Sequence, residues 1–132
     1  MLEFAREARP DGSRAADDPS LRQELAQPHI QSEALRLTSL RHLTEQLHGN
    51  PPGPEGSMEK LFWSELFQSM METAMSMTGS FAALAPGDPL APMGGRWPHL
   101  YLYSRGRTIA AGSSEIQRSI IAERVLGLPK GH

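Results

Sequence analysis

Proline and glycine clusters constrain this chain more than any other feature of it. They fall at Arg9-Pro10-Asp11-Gly12-Ser13, at His48-Gly49-Asn50-Pro51-Pro52, through residues 79–95 and at Gly127-Leu128-Pro129. Each cluster joins a residue that removes a helical amide to one that adopts backbone angles a helix rejects. Between the clusters apolar residues recur at three- to five-residue spacing, and no stretch alternates with the period of two expected of a half-buried strand. The expected fold is all-α, an up-and-down four-helix bundle with one long crossing.

The segments can be placed one by one. Residues 2–8 read as a short helical end before the first breaker, so residues 1–17 are expected to be the end of an upstream helix and a linker, with the bundle over 18–132. Asp18-Pro19 opens a long helix, because aspartate accepts orphan amide bonds and proline is preorganised for the first helical position. Its apolar series Leu21, Leu25, Ile30, Ala34, Leu37, Leu40, Leu43 and Leu47 predicts a core-facing stripe, with Pro28 bending it or splitting off its first turns. Ser57 is the expected cap of a second helix running to about Thr78. There Leu61, Phe62, Leu66, Phe67, Met70, Ala74 and Met77 form a stripe that Met71, Met75 and Trp63 widen beyond one face, which predicts a central helix. A last segment starts near Trp97. It passes through the small residues of Ile109-Ala110-Ala111-Gly112-Ser113-Ser114 and ends in a helix over 115–126, capped by Ser113 or Ser114, with Ile116, Ile120, Ile121 and Val125 inward.

Composition excludes several classes of function. The 132 residues fit one domain able to bury a core. With no cysteine, neither a disulfide framework nor a thiolate metal site is available. Thirteen basic and fifteen acidic side chains give a formal charge of −2, too small and too mixed to draw nucleic acid or an anionic membrane surface. No apolar run reaches membrane-spanning length, and the N-terminus lacks the pattern of a signal peptide, so the expected location is cytoplasmic. His29, His42, His48, His99 and His132 lack ligand spacing, and Glu65 and Glu72 have no accompanying Glu-x-x-His pair, so no metal site is expected. Arg105 and Arg107 are candidates for phosphate binding or for structural ion pairs.

The stretch Ala111-Gly112-Ser113-Ser114-Glu115-Ile116-Gln117-Arg118 resembles the signature that closes acyl-CoA dehydrogenases, typically Glu-Gly-Thr-Ser-Glu/Gln-Ile-Gln-Arg. The likeness continues through Ile120-Ile121-Ala122-Glu123-Arg124-Val125-Leu126-Gly127-Leu128-Pro129 and back to Arg105. Leu25-Ala26, Glu33-Ala34, Arg36-Leu37 and Lys60-Leu61-Phe62-Trp63-Ser64-Glu65 are similar to earlier helices of the same family, in the same order. The resemblance spans roughly residues 18–129 and covers only the family's C-terminal helical domain.

That resemblance implies a part of an FAD-dependent oxidoreductase that performs α,β-dehydrogenation of an acyl-CoA thioester of fatty-acid or steroid type. It implies FAD contact at Ser113, Ser114 and Glu115, and closeness of Gly112 to the acyl-CoA. It also implies self-association as a dimer or tetramer, or pairing with a partner subunit. The residue before the motif's glycine, often the family's catalytic glutamate, is here Ala111, which cannot take a proton; no catalytic residue is assigned, and the isolated chain is expected to be inactive. The family's Gln-x-x-Gly-Gly turn, which approaches a neighbouring subunit's flavin, corresponds to Ser76-Met77-Thr78-Gly79-Ser80 and keeps one glycine. Two other readings stand beside this one: a non-catalytic helical interaction module or subunit of a heteromeric flavoenzyme, and a relative that runs another flavin reaction such as oxygenation. If the flavin role holds, residues 112–115 lie open on one side, Ser113 and Gln117 face that opening, and the helix beyond packs near Phe67, Met70 and Ala74.

Overall fold

The computed structural model describes residues 1–9 and 11–130; Pro10 of the first breaker, and Gly131 and His132 at the end, lie outside the described residues. The chain is all-α: α1 (Leu2–Arg6), α2 (Pro19–Leu47), α3 (Glu55–Thr78), α4 (Arg96–Arg107) and α5 (Ser114–Ile120). Short 3-10 turns cover Ala15–Asp17, Gly79–Ala83 and Pro92–Gly95, and a π-helical turn over Ile121–Val125 continues α5. α3 is the central member and packs against α2, α4 and α5. Residues 79–95 form the crossing expected from their prolines and glycines.

Local chemistry explains most of the limits. Asp18 caps α2, its carboxylate accepting from the amides of Ser20 (2.8 Å) and Leu21 (3.3 Å), with Pro19 in the first turn. α3 begins before the expected Ser57 cap, at Glu55 with Pro54 as N-cap, because the Ser57 amide bonds the Pro54 carbonyl and so already belongs to the first turn. α2 runs unbroken past Pro28, which is buried; the Pro28 carbonyl accepts from the Ser32 hydroxyl at 2.7 Å.

The core lies where α3 meets α2, α4 and the N-terminal segment. Phe4 and Ala5 of α1, Leu25, Met71, Ala74, Met77 and Trp97 are buried together, and the Phe4 and Trp97 rings stand 5.2 Å apart. Met71 and Met77 are enclosed while Met70 and Met75 border the same cluster, as expected of adaptable side chains filling a central helix.

The expected stripe of α2 divides. Leu25 is buried and Leu21 packs against the core, but Ile30, Leu37, Leu40, Leu43 and Leu47 are exposed, Leu47 to 78%. Ala34 is exposed too. The reason is angular: at about 100° per residue, Leu21, Pro28 and Leu35 share the side toward α3. Ile30 and Leu37 lie on the reverse side, and Leu40 and Leu47 lie about a quarter turn from the buried side; Leu43 shares the direction of Leu25 yet stays exposed, further along α2. α2 therefore carries two apolar faces, and this chain covers one. A second correction concerns the last helix, where Ile116 and Val125 point outward at 53% and 39% exposure and only Ile120 and Ile121 are half-buried.

Candidate functional site

The corner between α4 and α5 holds the motif residues, and its shape follows from two left-handed residues in succession. Ala111 has φ 57° and Gly112 has φ 94°. The turn reverses the chain within a few residues and delivers Ser113 as N-cap of α5, its hydroxyl accepting from the Ile116 amide at 3.4 Å.

Two side chains hold this turn from behind. Gln117 Nε2 donates to the Ala111 carbonyl at 2.8 Å, and Lys60 Nζ, from the first turns of α3, donates to the Gly112 carbonyl at 2.6 Å and the Thr108 carbonyl at 3.4 Å. A Cβ on residue 112 would stand 2.7 Å from Gln117 Nε2 and displace that amide, while the positive φ favours glycine on its own. Gln117, expected on the open side, is 5% exposed because its amide is spent on this support. Lys60 has no local signal of this task in the sequence; the contact joins residues 52 positions apart.

Of the motif residues, Ala111 and Glu115 are exposed, Gly112 and Ser113 half-buried, and Ser114 buried. The turn is thus open along its two ends and closed in its middle. The Ser113 hydroxyl beside Glu115 holds its carboxyl below the usual carboxylate range, so Glu115 presents a negative charge to the outside. The α5 amides of Ser114 and Glu115, in the first turn, have no intrahelical acceptor by geometry.

Polar links then lock α4 and α5 to α3. Gln68 Nε2 donates to the Thr108 hydroxyl at 2.9 Å, Arg105 pairs with Glu72 at 2.8 Å, and Arg118 pairs with Glu65 at 2.5 Å. Arg105 also lies 4.4 Å over the Tyr101 ring, and Glu72 raises its pKa above the ordinary guanidinium value. Both carboxylates once comparable with a di-metal pair are taken by arginines from separate helices, and no three His, Asp or Glu side chains gather among the described residues. The links of α5 run to Lys60 and Glu65, nearer the start of α3 than the expected Phe67, Met70 and Ala74. His42 Nδ1 lies 2.8 Å from Glu59 Oε1 across α2 and α3.

The chain matches the family described as acyl-CoA dehydrogenase, C-terminal domain, over residues 1–126. This chain belongs to the acyl-CoA dehydrogenase family. The match begins at Met1, so it includes α1 and the turn before α2, ahead of the residue 18 start expected from motifs. The chain is 37% identical over 116 residues to the acyl-CoA dehydrogenase IpdE1 of Mycolicibacterium smegmatis, covering 88% of this chain and 27% of that protein. It superposes on a chain of the ChsE4-ChsE5 complex from Mycobacterium tuberculosis with a TM-score of 0.83 and 27% identity, over 99% of this chain and 33% of that one. The Tcur3481-Tcur3483 steroid ACAD has the same fold, with a TM-score of 0.79 at 23% identity over 86% of this chain and 30% of that one. The chain thus spans about a quarter to a third of the length of the relatives it matches.

Residues 76–80 are the stretch that the resemblance sets against the family's cross-subunit turn. Gly79, with φ 61°, terminates α3, and Ser76, Gly79 and Ser80 are exposed. Lys60, which holds the 111–115 corner, stands near the other end of the same helix, ~28 Å away at 1.5 Å per residue. The 111–115 corner and the 76–80 turn of this acyl-CoA dehydrogenase domain therefore sit toward opposite ends of α3.

Proposed function

We propose that this domain supplies one wall of the flavin and acyl-CoA sites in an FAD-dependent dehydrogenase that acts on acyl-CoA thioesters. Ser113, Ser114 and Glu115 contact the FAD, and Gly112 lies beside the acyl-CoA. The observation that carries the reading is the braced turn at 111–113. Gln117 and Lys60 occupy its carbonyls from within, while the first amides of α5 and the exposed Glu115 carboxylate are left for an external partner.

These residues fit a nucleotide edge in a particular way. Glu115 is an ionised acceptor, suited to the hydroxyl or amino donors of a ribose or adenine and unsuited to a phosphate. The seven-residue α5 adds only a small dipole, so hydrogen bonding carries the contact. Bound FAD would take up the substrate's β-hydrogen as hydride. The chain's own part is to orient and to exclude water. Ala111 supplies no base, so removal of the α-proton falls to a carboxylate outside this chain.

The exposed face of α2 supports association. Ile30, Leu37, Leu40 and Leu47 form an apolar strip too long to be ordinary surface, and a second copy or a homologous partner subunit covers it. The similar proteins include a two-protein complex and a steroid enzyme, which favours a heteromeric, steroid-type acyl-CoA dehydrogenase over a simple fatty-acyl one. A non-catalytic interaction module is the reading that remains if flavin is never bound.

The test is to purify the chain alone and with a subunit carrying the family's other domains, then measure flavin absorbance and acyl-CoA-dependent dye reduction. Both signals are expected only in the mixture. Flavin-free mixtures in which the two chains nonetheless associate would favour the interaction module.

A further inference from the structure

Among the cations around the α4–α5 corner, Arg107 differs in its surroundings. Arg105 is paired with Glu72, Arg118 with Glu65, and Lys60 spends its ammonium on backbone carbonyls. Arg107 has no carboxylate within ion-pair distance among the described residues. Its guanidinium lies over two rings, 4.9 Å from the centroid of Trp63 and 5.2 Å from that of Tyr103. Trp63 is itself stacked on Phe67, with ring centroids 5.9 Å apart and planes 3° from parallel. Arg107 Nε is enclosed without an acceptor.

A guanidinium is always charged and carries its donors in a rigid planar fork. Aromatic faces hold that plane and offset part of its charge, but they accept none of its in-plane N–H groups. The enclosed Nε is therefore left unsatisfied, and such groups in native proteins call for an explanation. The two terminal nitrogens have no hydrogen-bond or ion-pair partner among the described residues either, so the end-on edge of the fork can take an oxyanion. Thr108, the next residue, is tied through Lys60 to Gly112, so the fork belongs to the same corner as the motif turn.

We infer that Arg107, clamped by Trp63 and Tyr103, is a phosphate-recognising side chain, taking a phosphate or pyrophosphate oxyanion of a nucleotide ligand at this corner. The inference rests on the functional reading above, because both ligands proposed there carry a pyrophosphate. It also complements that reading: Glu115 repels phosphate, and Arg107 supplies the positive partner that the turn itself lacks. The pyrophosphate belongs either to FAD or to coenzyme A, which share this chemistry.

The experiment titrates the whole chain with inorganic pyrophosphate, and titrates its complex with a subunit carrying the family's other domains with FAD and coenzyme A, while following the Arg107 Nε–H signal by NMR. Pyrophosphate is expected to move that signal saturably, and whichever of FAD and coenzyme A binds more tightly names the source. Arg107→Gln should weaken pyrophosphate binding at least about tenfold, the loss of a charge-assisted contact. Arg107→Lys, which keeps the charge and the fold but loses the fork, should recover only part of it. Circular dichroism checks that each variant is folded. Ser113→Ala combined with Ser114→Ala should leave the pyrophosphate response intact, so failure of the flavin reading and failure of this one are separable. Equal affinity in wild type and Arg107→Gln, or no response of Arg107 to millimolar pyrophosphate, would overturn the proposal.

Discussion

Gln117 Nε2 lies 2.8 Å from the carbonyl oxygen of Ala111, in the place that a Cβ on residue 112 would need. One side chain thus braces the turn, and a Cβ at its centre would push that amide off the Ala111 carbonyl. Gly112→Ala forces Gln117 away and places alanine at φ 94°. The expected cost is about 1–3 kcal/mol, read as a lowered urea midpoint with unchanged slope. An unchanged midpoint would mean that the turn relaxes freely and that the bond to Gln117 matters little.

Ala111 makes the opposite prediction. It sits at φ 57°, a conformation that glycine adopts without strain. Ala111→Gly should stabilise the domain by about 0.5–1 kcal/mol, the relief of left-handed strain exceeding the added freedom of the unfolded chain. Thermal or urea unfolding measures it, and destabilisation would show that the methyl group is needed where it is.

Helix limits were legible in the sequence because their chemistry is local. Asp18-Pro19 caps and starts α2 as its composition demands, and Ser113 caps α5 within the motif that also revealed the family. The inward face of α2 was not legible. Leu25 and Leu37 are equally apolar, and only the position of α3 decides that Leu25 is buried and Leu37 is 58% exposed. Nor was Lys60 legible as the brace of Gly112, since its partner lies 52 residues away and a lysine near the start of a helix ordinarily faces solvent. The missed role of Gln117 has a different cause. A buried glutamine is uncommon, and nothing in the spacing announced that its amide turns back on Ala111.

The exposed face of α2 predicts how the chain associates. Leu37→Glu with Leu40→Glu should shift the protein toward monomer in sedimentation experiments. Stability should change by no more than about 0.5 kcal/mol, because both side chains are already exposed in the single chain. Unaltered assembly would place the contact elsewhere, and collapse of the fold would mean that α2 turns this face inward.

Acid should reveal the charge on Glu115. Its carboxyl is held below 4.5, first by the Ser113 hydroxyl, so the stabilisation it gives is fully present above that value and is lost as pH falls through the lower folded pKa. Wild type and Glu115→Gln should therefore differ in urea midpoint at neutral pH and converge in acid. A difference that persists below the folded pKa would show that the residue acts through shape and not charge.

The most direct test of the flavin-facing turn is the flavin stoichiometry of the complex reconstituted with a subunit carrying the other family domains, for wild type and for Ser113→Ala with Ser114→Ala. Losing the cap should cost the fold only about 1–2 kcal/mol, leaving the complex assembled. The account predicts that the wild-type complex retains flavin at this site and that the double variant loses it while still associating. Equal flavin content in the two complexes would contradict the assignment of this corner to FAD.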